Sequence, residues 1–238
     1  MTGASKGLGL SLTQALLLKG HQVLAIARSV PPPQDRLRSL KLDLAEIHQI
    51  DEVVSAALET LPLANFERLH LINNAGSIEP IQPVTELRAE NIDLNIKLNL
   101  IAPMIMTSSF LRTTKNFKGP RTIVNVSSGV AEKPKVSWAA YSAAKGGLRI
   151  FSLTLALEYS SDPLVKIVSF NPGVMDTDMQ GTIRSQSVAN FPDVERFKGF
   201  ARDGILRSPS VVALHLVNLL AKPENIHRVE ITIQDLLA

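Results

Sequence analysis

Short runs of apolar residues alternate along the chain with longer segments in which apolar residues recur at helical spacing. The apolar runs predict six strands, the second being the weakest: 21–27, 37–44, 70–76, 121–128, 165–173 and 227–233. The periodic segments predict five helices: 9–20, 51–61, about 89–117, 138–159 and 208–221. Strands that alternate with helices pair in parallel, and strands that are apolar on both faces are covered on both sides. The pattern therefore predicts an α/β fold with a doubly wound parallel sheet.

We expect residues 1–238 to form a single domain. The 238 residues, 45% of them hydrophobic and 20% charged, suffice for one large core. The segment 175–205 is more polar and irregular than its surroundings, and we expect it to form a flap over the substrate site. Cysteine is absent, which excludes disulfides and thiolate metal ligands and fits a reducing compartment. The five histidines show no i,i+4 pairing, so no metal site is predicted.

The charge pattern argues against macromolecular or membrane partners. The formal net charge is +3, without a long run of Lys or Arg, so we do not expect nucleic-acid binding. No run approaches the ~18 apolar residues of a transmembrane helix, and no signal-peptide pattern precedes the first glycines. The expectation is a cytoplasmic protein that does not bind a membrane.

The first nine residues, MTGASKGLG, place three glycines, Gly3, Gly7 and Gly9, before the first predicted helix. A mobile N-terminus is one interpretation. The other is a phosphate-binding turn, because bare amides at the positive end of a helix dipole bind a pyrophosphate. The helix and strand that follow favour the second interpretation, a Rossmann-like dinucleotide site. Only Met1 and Thr2 remain of the strand that should precede the turn, so we expect a truncated or unusually short first strand.

The residues after the strand 21–27 indicate which dinucleotide is bound. An NAD site usually has an acidic residue there, which binds the ribose 2′-hydroxyl. This chain has Arg28 and Ser29 instead, and Lys6 lies within the glycine turn. Two cations in place of a carboxylate suit the 2′-phosphate of NADP(H), although solvated surface charges are the alternative. We therefore predict NADP(H) as the cofactor.

A second set of motifs carries the candidate chemistry. Tyr141 and Lys145 are four residues apart, on one face of the predicted helix 138–159. Ser128 lies thirteen residues before Tyr141, and Asn99 lies in the motif LNLIAP of the middle helix. Two further motifs complete the set: NNAG at 73–76 and NPG at 171–173. In order and spacing these motifs resemble the short-chain dehydrogenase/reductase family over nearly the whole chain.

The resemblance implies a role for each residue of this set. Tyr141 would protonate the carbonyl oxygen of the substrate, while the hydride comes from the nicotinamide. Lys145 would bind the nicotinamide ribose, and its ammonium would lower the pKa of Tyr141. Ser128 would stabilise negative charge on the substrate oxygen, and Asn99 would hold a water that connects Lys145 to solvent.

Two neighbouring residues compete for these roles. Ser127 adjoins Ser128 but faces the other side of the strand, and the spacing to Tyr141 selects Ser128. Asn95 competes with Asn99, whose surrounding motif fits the family better.

The predicted dinucleotide contacts extend over the whole site. Besides Tyr141 and Lys145 they are Thr2, Gly3, Lys6, Gly7, Leu8, Gly9, Arg28, Ser29, Asp43, Leu44, Asn73, Ala75, Gly76, Pro172, Gly173 and Thr177. For Asn73 and Asn74 a purely structural role, bonding neighbouring strands, is the alternative.

Within the family, the C-terminal half resembles the sepiapterin and benzil reductases. The segments 171–187 and 206–210, together with Trp138, carry this resemblance. It implies an NADPH-dependent carbonyl reductase that reduces one carbonyl of a vicinal dicarbonyl. The expected substrate contacts are Ser128, Trp138, Tyr141, Met175, Met179 and Glu230. Trp138 and the two methionines could equally be ordinary packing, and Glu230 either binds a pterin edge or is a solvated charge.

The same resemblance implies an oligomeric state, and two alternative functions remain beside it. The two long helices should pair across a two-fold axis, which gives a homodimer or a tetramer. A broad-specificity alcohol dehydrogenase acting on another metabolite is an alternative activity. A non-catalytic NADP-sensing module is the alternative from a different class, and the complete Asn-Ser-Tyr-Lys set argues against it.

Overall fold

The computed structural model describes residues 1–29, 32 and 34–237. Its strands are β1 (Val23–Ala27), β2 (Leu37–Lys41), β3 (Leu69–Asn73), β4 (Arg121–Val126), β5 (Val165–Asn171) and β6 (Glu230–Thr232). Its α-helices are α1 (Gly7–Leu18), α2 (Ile47–Glu59), α3 (Ala89–Ile96), α4 (Ala102–Thr113), α5 (Ala139–Glu158), α6 (Asp178–Arg184), α7 (Val194–Arg202), α8 (Pro209–Ala221) and α9 (Ile233–Leu237). The strands pair in parallel in the orders β1-β2 and β3-β4-β5-β6.

The short segment Met1–Gly3 lies between β1 and β3 and is hydrogen-bonded to both. Ile26 in β1 donates its N–H to the Met1 carbonyl (2.9 Å) and accepts from the Gly3 N–H (2.8 Å). On the other side, the Thr2 N–H donates to the Ile72 carbonyl in β3 (2.9 Å). These three residues therefore continue the sheet from β1 to β3 and place the glycine turn at its carboxyl edge.

Alternate strand residues face two separate apolar layers, which is why the sheet is covered on both sides. The layer beneath α1 and α8 includes Leu12, Leu16, Ile72, Val124, Val168, Leu216 and Leu220. The layer beneath α2, α4 and α5 includes Ile50, Val54, Leu71, Met106, Phe110, Ile123, Leu155 and Ile167. The predicted α/β fold with helices on both faces of a parallel sheet is confirmed.

The predicted single helix 89–117 is interrupted. It consists of α3 and α4 joined by a π-helical turn, Lys97–Ile101, and it ends at Thr113. Within the described ranges, the continuous stretch Ala89–Thr113, 25 residues long, is the one helix that is long and apolar enough to cross a membrane. Half of its most apolar part is buried inside the protein, which is also usual for a core helix.

The segment 175–205 is more regular than predicted, because it contains α6 and α7. In α7, Val194 and Phe197 are buried three residues apart. The charged residues on the exposed face of α7 made the segment look irregular, although its apolar residues have helical spacing.

Candidate active site

Backbone geometry explains the three glycines at the start of α1. Gly3 and Gly7 have φ of +67° and +53°, a region that residues with a Cβ rarely adopt. A Cβ on Gly9 would lie 1.9 Å from the Gly3 carbonyl oxygen. Helix α1 can therefore start directly against the turn only with glycine at this position. The side chain of Leu8 is buried in the core beneath α1.

The start of α1 fits an anionic cofactor. Lys6 is the N-cap residue, and among the described residues no side chain caps the helix and no acidic residue lies in its first turn. The first amides of a 12-residue helix are thus available to a pyrophosphate, which suits the dinucleotide predicted there. A Cβ on Gly7 would lie 3.5 Å from the Thr177 methyl group, so Thr177 borders the same turn. Lys6 also forms a loose ion pair with Asp178 (3.9 Å).

The motif at 73–76 is bound to the glycine turn. The Thr2 hydroxyl accepts hydrogen bonds from the amides of Asn74 (3.0 Å) and Ala75 (3.1 Å). In return, the Asn74 side chain donates to the carbonyls of Thr2 and Gly3, each at 3.2 Å. These contacts hold the two loops together at the carboxyl edge of the sheet.

Asn73 has a different environment from its neighbours. Its side chain is buried and donates to Asn125 Oδ1 (2.8 Å) and Thr107 Oγ1 (3.1 Å). It therefore joins β3 to β4 and α4, which is the structural alternative for this side chain.

The remaining predicted adenosine contacts follow β1 and β2. Arg28 and Ser29 are exposed directly after the last residue of β1. Asp43 Oδ1 accepts from the Ala45 amide (3.0 Å), and Leu44 is buried in the layer beneath α2 and α4. Only Arg28, Ser29 and Asp43 of this group present polar atoms near the surface.

Asn99 lies in the π-helical turn and is fully buried. Its amide group donates to the Ser77 carbonyl (2.8 Å), and its oxygen accepts from the Ser77 amide (3.2 Å). Asn95 binds the same loop further on, donating to the Glu79 carbonyl (2.6 Å). A Cβ on Gly76 would lie 2.7 Å from Asn99 Oδ1 and 3.7 Å from Lys145 Nζ. The structure thus brings Asn99 beside Lys145, at a type of helical irregularity that is frequent at functional sites.

Tyr141 and Lys145 lie one turn apart on α5 and are almost fully buried, with 6% and 4% of their surface exposed. Lys145 Nζ donates to the Val126 carbonyl at the end of β4 (2.8 Å) and lies 5.8 Å from the centre of the Tyr141 ring. Ser128 follows β4, and its hydroxyl accepts from the Val130 amide (3.4 Å). The end of β4 and the start of α5 therefore bring the three side chains together.

Burial controls the protonation of this group. It raises the pKa of Tyr141 to about 12, and a hydrogen bond with Ser128 acts in the opposite direction. Burial also lowers the pKa of Lys145 to about 8. The expectation that Lys145 lowers the pKa of Tyr141 is therefore wrong for this structure, because desolvation dominates and the ammonium is bonded to the Val126 carbonyl. The phenol is protonated at neutral pH, as a general acid requires.

An aromatic cluster, formed by Trp138 and two phenylalanines of the segment 175–205, contacts Tyr141 through the Trp138 ring. Trp138 stacks on Phe191 (ring centres 5.2 Å apart) and meets Tyr141 edge-on (6.0 Å). Phe197 lies 5.5 Å from Trp138. The sequence analysis missed both phenylalanines, although the apolar spacing of Phe191, Val194 and Phe197 is a helical signal.

The remaining residues predicted to contact substrate or cofactor have different surroundings. Met179 packs against the aromatic cluster, whereas Met175 packs against the layer beneath α1 and α8. The Glu230 carboxylate binds Arg149 of α5. Pro172 is buried, and Gly173 has φ of +71° and donates its amide to Asn171 Oδ1 (3.0 Å).

Comparison with known proteins gives consistent matches. A family model described as short chain dehydrogenase matches residues 1–188. Benzil reductase ((S)-benzoin forming) of Bacillus subtilis (strain 168) is 36% identical over 224 residues, covering 93% of this chain and 92% of that protein. Sepiapterin reductase of Bos taurus is 30% identical, with 92% and 88% covered. The crystal structure of the KRED1-Pglu enzyme superimposes with a TM-score of 0.81 at 30% identity, covering 96% of this chain and 97% of that one.

Proposed function

This chain belongs to the short-chain dehydrogenase family, and we propose that it is an NADPH-dependent reductase of vicinal dicarbonyls. The observation that carries the proposal is the buried, protonated Tyr141, hydrogen-bonded to Ser128 beneath an aromatic cluster. The names of two relatives, benzil reductase and sepiapterin reductase, support the substrate class. A pterin with a diketo side chain and an aromatic diketone share the same reacting unit, and both suit an aromatic surrounding.

The protein's own residues orient the substrate and deliver the proton. Bound NADPH supplies the hydride to the carbonyl carbon. The hydroxyls of Ser128 and Tyr141 donate hydrogen bonds to the carbonyl oxygen, and Tyr141 transfers its proton as that oxygen becomes an alcohol. Burial lowers the pKa of Lys145 to about 8, so its ammonium is mostly protonated at neutral pH. With its Nζ 5.8 Å from the centre of the Tyr141 ring, Lys145 would return a proton towards the Tyr141 oxygen. Asn99, which lies beside Lys145, would hold a water that connects Lys145 to solvent.

The preference for NADPH is the part of the proposal that depends on charge. Arg28 is an exposed cation directly after β1, where an NAD site usually has a carboxylate. Arg28→Glu should raise the KM for NADPH by about tenfold and leave the KM for NADH nearly unchanged. Lys118→Glu makes the same charge change on an exposed residue between α4 and β4 and should alter neither value.

The direct test is NADPH oxidation followed by absorbance, with benzil and sepiapterin as parallel substrates and NADH as the cofactor control. Turnover of either dicarbonyl with NADPH supports the proposal, and the better substrate identifies the closer subgroup. If the protein binds NADPH but reduces neither dicarbonyl, the substrate class is wrong. Turnover of other carbonyls would then indicate a broad-specificity reductase, and no turnover at all would indicate an NADP sensor.

Assembly as a homodimer or tetramer through α4 and α5 belongs to the same proposal. Large apolar side chains are exposed on these helices: Met104 (40%), Ile150 (57%) and Leu157 (75%). Exposed apolar surface of this kind on a pair of long helices suits a two-fold contact. Light scattering gives the mass in solution, and a monomer would contradict this part of the proposal.

A further inference from the structure

Arg149 of α5, four residues beyond Lys145, forms an ion pair with two hydrogen bonds to Glu230 of β6. Arg149 Nε lies 2.5 Å from Glu230 Oε1, and Nη2 lies 2.9 Å from Oε2. Both carboxylate oxygens thus accept from the same guanidinium, the arrangement that fixes orientation most strictly. The pair is partly buried, with 28% and 38% of the two side chains exposed.

The pair joins α5, which carries Tyr141 and Lys145, to β6. Arg149 is the third residue in the series Tyr141, Lys145, Arg149, which is spaced by four along α5 and therefore lies on one helix face. Glu230 is the first residue of β6. A second carboxylate, Glu132, lies 3.7 Å from Arg149 Nε and directly follows the helical turn that begins after Ser128.

We propose that Arg149, Glu230 and Glu132 are positioning residues. The contact of Arg149 with Glu230 fixes α5 against β6, and its contact with Glu132 fixes α5 against the turn after Ser128. β6 is paired through β5 with β4, the strand that leads to Ser128, and the pair thereby sets the distance between the Tyr141 and Ser128 hydroxyls. Because both Glu230 oxygens bind Arg149, this assignment replaces the direct pterin contact expected from the sequence. The kinetic effects expected of this pair rest on the proposed function, whereas its structural effects do not.

Partly exposed ion pairs contribute little to global stability. If the pair had only a stabilising role, its loss would leave kcat unchanged. A positioning role predicts the opposite. Glu230→Gln and Arg149→Met should each lower kcat about tenfold for benzil and sepiapterin alike, with little change in KM. The double variant should be no slower than either single variant, because both changes remove the same interaction. Arg149→Lys restores the charge without the two-bond geometry and should recover only part of kcat.

The matched control is Asp162→Asn, which removes the ion pair between Asp162 and Arg121 (3.3 Å). That pair joins the start of β4 to the loop after α5, away from Tyr141. The control should lower the melting temperature and leave kcat unchanged.

A second readout does not need turnover. The chain has two tyrosines, so Tyr159→Phe leaves Tyr141 as the only one, and its isotope-labelled NMR signal reports its surroundings directly. The signal should move in Arg149→Met and Glu230→Gln and stay in place in Asp162→Asn. An unchanged signal in the first two variants would overturn the inference. So would a Glu230→Gln variant that raises KM for sepiapterin alone. If the unmutated chain reduces neither dicarbonyl, the proposed function fails, and the NMR signal still decides the role of the pair.

Discussion

Titratable groups are shielded from solvent at both ends of the parallel sheet, but their surroundings differ. At the carboxyl end, Lys145 is bonded to the Val126 carbonyl, and Tyr141 is bonded to Ser128. At the amino end of β3, His70 is half-buried, and its two ring nitrogens are shielded from solvent and have no hydrogen-bond partner among the described residues. Its ring meets that of His21 edge-on, with centres 6.1 Å apart.

The pKa shifts at the two ends are of similar size and have the same main cause. Burial raises the pKa of Tyr141 to about 12 and lowers that of His70 to about 4. A shifted pKa is therefore not enough to identify an active site. What distinguishes the carboxyl end is convergence, because a phenol, a second hydroxyl, an ammonium and the glycine turn at the start of α1 meet there.

The largest test of this distinction is to remove one hydroxyl at the carboxyl end. Tyr141→Phe should lower kcat by about 10²–10⁴-fold, because the general acid is lost while the ring packing with Trp138 is kept. Binding of NADPH, measured by fluorescence, should persist. His70→Gln at the other end should leave kcat unchanged, and Tyr159→Phe controls for loss of a phenol elsewhere. A Tyr141→Phe enzyme with normal kcat would remove the acid from the mechanism.

The candidate catalytic residues at the carboxyl end could be predicted from the sequence because they occur at a characteristic spacing along the chain. Tyr141 and Lys145 are one helical turn apart, so any helix at 138–159 places them together. The sequence predicted the ends of the strands and helices less well. The predicted strand 121–128 ends at Val126 in the structure, although the Ser127 N–H still donates to the Phe170 carbonyl of β5 (2.7 Å). An apolar run does not show where regular pairing stops.

Other features of the site depend on contacts distant in sequence. The π-helical turn at Asn99 shifts the helical register locally, which a hydrophobic pattern does not reveal. The partner of Glu230 is Arg149, 81 positions away. Burial sets the pKa of Tyr141, and this residue belongs to the same apolar cluster as Phe191 and Phe197, which come from a segment expected to be irregular. Tertiary packing decides each of these, so the sequence predicted the residues of the site better than their environment.

At the amino end, we expect His70 to affect the pH dependence of the free energy of unfolding. The pKa of His70 is about 4 in the folded protein and near ~6.5 in the unfolded chain, so between these values only the unfolded state binds the proton. The free energy of unfolding is therefore fully present above about pH 6.5. It should fall by about 3 kcal/mol as the pH drops towards 4. Urea unfolding of the wild type and His70→Gln at several pH values isolates this contribution, because the other groups titrate in both proteins. Parallel pH profiles would contradict it.

The smallest expected effect compares one threonine from each end. Thr122, which pairs with His70 across β3 and β4, has a buried hydroxyl without a partner among the described residues. The buried Thr107 hydroxyl donates to the Pro103 carbonyl (2.8 Å) and accepts from Asn73 (3.1 Å). Thr107→Val should lower the free energy of unfolding by about 1–3 kcal/mol, because it leaves the Asn73 amide without that acceptor. Thr122→Val removes an unsatisfied group and should be neutral or stabilise by up to about 1 kcal/mol. Urea unfolding measures both, and equal losses would mean that the hydroxyl at the amino end is as well bonded as the one beside the active site.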